Sequence, residues 1–493
     1  MLQRRTLIFQ AISIGFVILG WHKPAAAGGF HTGVMIGAGS YPESVVVGDF
    51  NNDGKPDLVF ADGCGDPNCL TTGVVSVLLG NGNGTFQPAK QYVSGPSGTS
   101  SCYVAAGDFN GDGALDLVVV NNAINKFGTI SILLGNGDGT FQAPVSYSPG
   151  PTPVSVVVGD FNHDGALDLA VVITSHNYVS ILLGRGDGTF GAATTFPVEN
   201  GPQGIATADF NGDGNLDLAV VNECGTDPLC ETGDVSILLG NGDGTFQPPL
   251  DAAANSRPLA VEVGDFNNDG KPDLAVANAC GTDFRCVSPG SVGISLGNGD
   301  GTFQAPANFA ADFDTVRLAV GDFNGDRNLD VAAINYQTND TSVLLGKGDG
   351  TLGAAVNYPV GAQPLSVAVG DFNLDKAPDL AVANENSFTT SVFINTGGTR
   401  MTLTGSPNPS RLGQPVTFTA TVMASVPGSG KPTGTVSFKA GSTVLGSSPV
   451  LGGRAMLSTA LLKPGSNEIG AIYSGDKNFN PNSAPPFFQL VRK

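Results

Sequence analysis

The sequence DFNNDGKPDL at residues 49–58 is the first of seven related segments in this 493-residue chain. The copies are spaced 49 to 59 residues apart and begin at Asp49, Asp108, Asp160, Asp209, Asp265, Asp322 and Asp371. A second motif, GNGDGTF or a close variant, follows each of the first six copies, starting at Gly80, Gly135, Gly184, Gly240, Gly297 and Gly346. Self-similarity at such a period indicates a repeat architecture in which each copy forms one supersecondary unit.

Each unit has the pattern of four short strands. In the third unit, apolar runs at 155–158, 167–172 and 179–183 surround the acidic segment and end at the glycine motif, and a fourth run starts at Phe190. Short runs rich in Val, Ile and Leu between Gly and Asp are typical of buried strands. A four-stranded antiparallel meander of about 50 residues is the size of one propeller blade. The sequence therefore predicts an all-β fold, a seven-bladed β-propeller.

The two ends of this region predict how the ring closes. The seventh unit stops near Asn395 without a following Gly-Thr-Phe strand, and residues 29–31 match the start of the fourth strand of other units. We expect residues 30–36 to supply the missing outer strand of the seventh blade.

The acidic segments have the spacing of calcium loops. Positions 1, 3, 5 and 9 carry side-chain oxygens, position 7 can offer its carbonyl, and Gly at position 6 permits a sharp turn. The predicted metal ligands are Asp49, Asn51, Asp53, Lys55, Asp57, Asp108, Asn110, Asp112, Ala114, Asp116, Asp160, Asn162, Asp164, Ala166, Asp168, Asp209, Asn211, Asp213, Asn215, Asp217, Asp265, Asn267, Asp269, Lys271, Asp273, Asp322, Asn324, Asp326, Asn328, Asp330, Asp371, Asn373, Asp375, Ala377 and Asp379. The alternative is a set of Asx-rich turns without metal.

Two copies depart from this pattern, because Arg327 and Lys376 replace the glycine of position 6. A side chain there strains the turn and brings a positive charge towards the loop. We expect up to seven Ca²⁺ ions with a structural role, and weaker or empty sixth and seventh sites.

Together the two motifs resemble the FG-GAP/VCBS-type repeats, and thus the propeller head of integrin α subunits. The resemblance covers about residues 29–397 and implies a calcium-stabilised propeller that is often used for adhesion or ligand binding. The fold alone does not identify the partner.

Three segments of distinct composition follow from these patterns. Residues 1–27 have the basic, apolar and small-residue parts of a signal peptide, with an uncleaved anchor as the alternative and the choice between general and twin-arginine export left open. Residues 28–397 form the predicted propeller. Residues 399–493 alternate in polarity and resemble a bacterial immunoglobulin-like β-sandwich.

The net charge of −20 is concentrated in the acidic loops and indicates bound cations rather than nucleic acid. No later segment is apolar enough for a membrane span, so we predict a secreted, cell-surface or periplasmic protein.

Six of the seven cysteines form close pairs: Cys64 with Cys69, Cys224 with Cys230 and Cys280 with Cys286. In an exported protein these pairs predict local disulfides, with a four-cysteine zinc site between the fourth and fifth blades as the alternative. Cys102 remains as a buried free thiol.

Strand parity predicts one uniform and one variable face. The calcium loops and glycine turns share the uniform face, whereas the loops between second and third strands share the variable face with the connectors between blades. Variable loops on a rigid scaffold commonly bind ligands, so residues 62–72, 223–233 and 279–289 are predicted to frame a site for a protein or glycan.

We find no catalytic motif and predict no catalytic residue or organic cofactor. A structural envelope component and a carbohydrate-active enzyme on a propeller scaffold remain the alternatives.

Overall fold

The computed structural model describes residues 30, 33–63, 73–96, 99–123, 128–227, 229–280, 286–395, 399–424, 431–476, 479 and 481–493. The predicted signal peptide at 1–27 and the pair Cys64 and Cys69 lie outside these residues. Within them, no helix is long and apolar enough to cross a membrane.

The amino-terminal part of the described chain forms seven four-stranded antiparallel sheets and one short 3-10 turn at Thr174–His176. Its strands are β1 (Val34–Gly37), β2 (Pro42–Gly48), β3 (Asp57–Asp62), β4 (Val74–Leu78), β5 (Lys90–Val93), β6 (Thr99–Gly107), β7 (Asp116–Ala123), β8 (Thr129–Leu133), β9 (Val145–Tyr147), β10 (Pro153–Gly159), β11 (Asp168–Ile173), β12 (Tyr178–Leu182), β13 (Thr194–Pro197), β14 (Asn200–Ala208), β15 (Asp217–Gly225), β16 (Asp234–Leu238), β17 (Leu250–Ala253), β18 (Pro258–Gly264), β19 (Asp273–Asn278), β20 (Ser291–Ser295), β21 (Ala307–Ala310), β22 (Thr315–Gly321), β23 (Asp330–Asn335), β24 (Asp340–Leu344), β25 (Val356–Pro359), β26 (Pro364–Gly370), β27 (Asp379–Asn384) and β28 (Thr389–Phe393).

The sheets are the blades of a closed ring. Their first strands β2, β6, β10, β14, β18, β22 and β26 contact one another in succession, and β26 contacts β2. In the seventh blade, β1 pairs antiparallel with β28, with Val34 opposite Val392, and Phe30 forms a bridge with Asn395. The seven-bladed propeller and its closure by the amino-terminal strand are therefore confirmed.

Apolar side chains pack between neighbouring blades. The second strand of the first blade, β3, is buried along its whole length, which explains why it reads as a continuous apolar run rather than an alternating one. Val59 and Val77 of this blade share a cluster with Val119 and Leu133 of the next. Because every blade is covered on both sides in this way, the ring has no single central core.

A buried polar contact links the second and third strands of most blades. In the fourth blade, the side-chain amide of Asn222 donates to Ser236 Oγ at 2.8 Å. In the seventh blade, Asn384 donates to Ser391 Oγ in the same way, at 3.0 Å.

The first blade has Asp62 at this place in the register, opposite Pro42. Asp62 is fully buried. Its Oδ2 accepts a hydrogen bond from Ser76 Oγ, while its Oδ1 has no partner among the described residues.

The carboxy-terminal part is a β-sandwich, as predicted. Its strands are β29 (Thr399–Ser406), β30 (Ser410–Arg411), β31 (Val416–Ala424), β32 (Thr435–Ala440), β33 (Thr443–Pro449), β34 (Arg454–Thr459), β35 (Gly465–Tyr473), β36 (Asn482–Ser483) and β37 (Phe487–Arg492). In the described residues they form a three-stranded sheet, β29-β31-β34, and a six-stranded sheet built on β30-β37-β35-β32-β33. Phe418, Phe438 and Tyr473 are fully buried in the core of this sandwich.

Candidate functional site

The acidic loops share one backbone conformation that the first aspartate fixes. In the first copy, Asp49 Oδ1 accepts the Asp53 N–H at 3.0 Å and Asp49 Oδ2 accepts the Gly54 N–H at 2.7 Å. Asn51 Oδ1 also accepts the Asp53 N–H, and Asp53 Oδ1 accepts the Lys55 N–H. The same four hydrogen bonds recur in every copy. The side chains at positions 1, 3 and 5 are thereby gathered on the inside of each loop.

The aspartate of position 9 holds each loop to the residue after the third strand, which begins the glycine turn in the first six copies and is Asn395 in the seventh. Asp57 is fully buried; its Oδ2 accepts the Phe50 N–H at 2.9 Å and its Oδ1 accepts the Gly80 N–H at 2.7 Å. The equivalent bonds occur in the other copies. A Cβ atom on Gly80 would lie 2.1 Å from the Pro56 carbonyl oxygen, so glycine permits this close approach in the first blade, whereas Asn395 occupies the equivalent position in the seventh. This structural task of the ninth aspartate was not foreseen from the sequence.

Negative charge is crowded in each loop. Burial raises the pKa of Asp57 to about 6 against the opposing effect of its two backbone hydrogen bonds, and the charges of Asp53 and Asp49 raise it further. The seventh loop shows the largest effect, because burial raises the pKa of Asp379 to about 8. A positive charge in the loop would relieve this repulsion.

The donor set of the loops fits a hard cation. Positions 1, 3, 5 and 9 present only carboxylate and amide side chains, and oxygen ligands are those that Ca²⁺ takes. Among the described residues, no three acidic, histidine or cysteine side chains are grouped as a metal site by themselves. An ion would therefore also need the Asn oxygen of position 3 and the carbonyl oxygen of position 7.

Cationic side chains of the first, sixth and seventh loops affect this fit, whereas Lys271 of the fifth loop donates to the Asn298 carbonyl instead. Arg327 and Lys376 occupy position 6 with φ angles of 74° and 71°, a left-handed conformation that costs a non-glycine residue about 1–2 kcal/mol. Both nevertheless keep the loop hydrogen bonds. In the first loop, Lys55 Nζ lies 2.9 Å from Asp53 Oδ2, so a lysine already contacts one predicted ligand there.

The loops also join each blade to the next. Phe50 of the first loop packs edge-to-face on Phe141 in the glycine turn of the second blade, with ring centroids 5.9 Å apart, and its carbonyl accepts the Gly139 N–H. Equivalent contacts follow around the ring. At the closure, Phe30 takes the place of the turn aromatic against Phe323. The Asn395 side-chain amide donates to the Phe323 carbonyl at 2.7 Å in place of a main-chain N–H.

The first strands surround a central channel that contains a charged cluster. Tyr103 of the second blade and Arg317 of the sixth blade approach each other in the channel, with the guanidinium carbon 6.0 Å from the ring centroid. Glu262 also lines the channel. Burial raises the pKa of Glu262 to about 7, although the charge of Arg317 acts in the opposite direction.

A cleft of about 500 Å³ lies on the variable face, between the fifth, sixth and seventh blades. Its described lining residues come from interblade connectors and from loops between second and third strands: Arg257, Cys286, Asp314, Tyr336, Gln337, Asn339 and Gln363. The predicted segments 223–233 and 279–289 reach its border through Glu223, which binds Arg257 at 2.9 Å, and through Cys286. The residues from the sixth and seventh blades were missed. Aligning the blades could have indicated them, because the residue before the first strand differs from blade to blade.

Two of the predicted disulfides are confirmed. Cys224 bonds with Cys230 and Cys280 bonds with Cys286, which excludes the zinc site between these blades. Cys102 is a free, partly buried thiol; it donates to the Val120 carbonyl at 3.5 Å, and burial raises its pKa.

The fold and its repeated acidic loops define a class of closed propellers built from one recurring motif. The FG-GAP-like repeat family matches residues 61–119, 109–171, 171–220, 228–276, 281–333 and 322–382, and the FG-GAP repeat family matches residues 41–62. The chain therefore belongs to the FG-GAP repeat family. Residues 403–492 match the bacterial Ig-like domain (group 3), so the resemblance of both parts is confirmed. No curated protein matches the chain.

Two solved structures are similar to much of the chain. The periplasmic gluconolactonase PpgL of Pseudomonas aeruginosa is 17% identical, with 70% of this chain and 88% of that chain covered and a TM-score of 0.47. A functionally unknown protein of Desulfotomaculum acetoxidans is 14% identical, with 65% and 90% covered and a TM-score of 0.44.

Proposed function

We propose that this protein is exported, that calcium stabilises its propeller, and that it binds a ligand in the cleft of the variable face. FG-GAP repeats and Ig-like domains are typical of extracellular proteins, which supports the export that residues 1–27 predict. The observation that carries the binding role is the cleft itself, a concave site with several polar side chains on an otherwise repetitive scaffold.

Calcium is proposed for the loops because their side chains supply oxygen donors and excess negative charge. In the second loop, Asp108, Asn110 and Asp112 would hold the ion with the Ala114 carbonyl. Asp116 would contribute an oxygen that already accepts a backbone N–H. The ion supplies no chemistry beyond neutralising these carboxylates and fixing the loop. At ten times its dissociation constant, one ion stabilises the folded ring by about 1.4 kcal/mol.

A calcium titration of the purified protein tests this part of the proposal. We expect heat of binding in calorimetry and a melting temperature that falls after addition of a chelator. Asp112→Asn should remove one binding event, whereas Asp138→Asn in the glycine turn of the same blade is the control and should remove none. Failure to take up calcium at any of the first five loops would refute it.

The variable face is the proposed binding surface because its loops differ between blades, whereas the loops of the uniform face have nearly the same sequence in every blade. A rigid ring with dissimilar loops is an arrangement that places specificity in the loops. We propose binding rather than catalysis, since the Arg257 guanidinium is held by Glu223 and three of the six other described lining residues are amides. Amide side chains orient ligands but do not transfer protons.

Replacement of variable loops tests the binding surface directly. We would screen the wild-type protein on arrays of glycans and matrix proteins, and then graft the short loop of the third blade, residues 174–177, in place of residues 336–339. The same graft in place of residues 223–233 tests the originally predicted segment. Loss of binding with an unchanged melting temperature supports the proposal. Retained binding in both grafts would place the ligand elsewhere.

A further inference from the structure

Asp314 presents a carboxylate to the cleft. It stands just before β22 with a φ of 62°, and its main-chain carbonyl accepts the Tyr336 N–H at 2.9 Å. Its side chain is partly buried, and burial raises its pKa while the charge of Arg257 lowers it. None of the described residues donates a hydrogen bond to this carboxylate. A partly buried acceptor of this kind gains free energy from a ligand that brings donors.

Amide groups next to Asp314 complete a mixed set of donors and acceptors. Asn339 Oδ1 accepts the Gln363 N–H at 2.7 Å, which leaves the Asn339 Nδ2 donors without a partner among the described residues. Gln363 Oε1 accepts from Asn386, so the Gln363 Nε2 donors are likewise available. Neighbouring hydroxyl groups can donate to a carboxylate and accept from an amide at the same time.

The charge of the described residues at the cleft disfavours acidic ligands. The Arg257 guanidinium pairs with the Glu223 carboxylate, with Nε and Oε1 2.9 Å apart, so Arg257, Glu223 and Asp314 together carry a net charge of about −1. Among the described lining residues, a phosphate, sulfate or uronate would find no cationic group other than the already paired Arg257. None of the described lining residues is aliphatic, and most of them carry a polar group that can bind a ligand by hydrogen bonds.

We infer that the cleft binds a neutral saccharide whose hydroxyl groups donate to Asp314 and accept from the amides of Asn339 and Gln363. The inference rests on the proposed function, because it specifies the ligand class of the same cleft. The cleft volume of about 500 Å³ is within the usual range of small-molecule sites.

The test uses the full chain, calcium-saturated, on an array of neutral, uronate-containing and sulfated oligosaccharides, followed by calorimetry with the best neutral oligosaccharide. Asp314→Asn keeps the shape and suits a positive φ, because Asn adopts this conformation readily. We expect it to weaken binding at least tenfold. The control is Thr152→Asn at the equivalent connector of the third blade, where φ is 52°, and it should leave affinity unchanged. Melting temperatures of both variants report folding.

The outcomes separate this inference from the proposed function. Binding of neutral saccharides with loss in Asp314→Asn supports both. Preference for uronate or sulfated ligands, or an unchanged affinity in Asp314→Asn, overturns the saccharide assignment. If a matrix protein binds instead and the loop graft at 336–339 abolishes that binding, the cleft function stands and this inference fails. If no ligand of either kind depends on the grafted loops, both fail.

Discussion

The substitution Asp62→Asn is expected to stabilise the propeller in a pH-dependent manner. Asp62 is fully buried, and burial raises its pKa well above the ordinary value of 3.8, although the hydrogen bond from Ser76 opposes this. In the unfolded chain the same carboxyl group ionises near 3.8. Folding at neutral pH must therefore protonate it or bury its charge, and Asn at this place avoids both costs.

The size of the effect follows from this difference. The folded pKa is raised, so the wild type has its full stability below pH 3.8 and loses stability as the pH rises towards the folded pKa. The loss accumulates at about 1.4 kcal/mol per pH unit and reaches at most about 4 kcal/mol at pH 7. The new amide can donate to Ser76 Oγ as Asn222 donates to Ser236 at 2.8 Å. We expect Asp62→Asn to gain about 2–4 kcal/mol at pH 7 and almost nothing at pH 4.

The assay is thermal unfolding of wild type and variant at pH 4, 5.5, 7 and 8 in saturating calcium. The expected result is a difference in melting temperature that grows with pH to several degrees. The converse control is Asn384→Asp, where a carboxyl group replaces an amide that donates to Ser391; it should destabilise most at pH 8. A difference for Asp62→Asn that stays constant from pH 4 to pH 8 would show that ionisation is not the cause.

Three further substitutions probe the ring. Phe30→Ala removes the aromatic ring that contacts Phe323 at the closure and should cost about 3–5 kcal/mol, seen as rapid amide exchange in β1 and β28; slow exchange there would contradict the role of Phe30. Gly80→Ala places a Cβ atom 2.1 Å from a carbonyl oxygen, whereas Gly37→Ala meets nothing within 4 Å, so only the first should lower the melting temperature, and equal effects would be inconsistent with this geometry. Arg327→Gly relieves a positive φ and should stabilise by about 1 kcal/mol and strengthen calcium uptake by the sixth loop in calorimetry; an unchanged titration would argue against a strained sixth site.

The ring could be predicted from the sequence because the residues that specify each blade lie within one short segment, and this segment is repeated seven times. The loop at 49–58 carries its own turn residues, and the apolar runs beside it have the length of strands, so each copy specifies one blade. The missing strand after Asn395 and the matching segment at Phe30 then specified the closure. Seven repetitions made each of these patterns distinguishable from chance.

Contacts between blades could not be predicted in the same way. The carbonyl of Phe50 meets Gly139 of the next blade, and no pattern within one unit indicates that pairing. The cleft joins Arg257 with Gln363, residues of different blades whose types do not repeat. Asp62 stands where most other blades have Asn, with a carboxyl group in place of an amide, and only its burial shows that this difference matters.

The side chain of Asn395 allows the propeller to close at the point where its polypeptide enters and leaves the ring. Because its amide supplies the contact that a main-chain N–H supplies at the other seams, the seventh blade needs no glycine turn, and the polypeptide can depart there towards Thr399. The other seams use the same Phe carbonyl as acceptor. A permuted gene that opens the ring at another glycine turn, with Asn at its first position, should therefore yield the same propeller with its termini relocated.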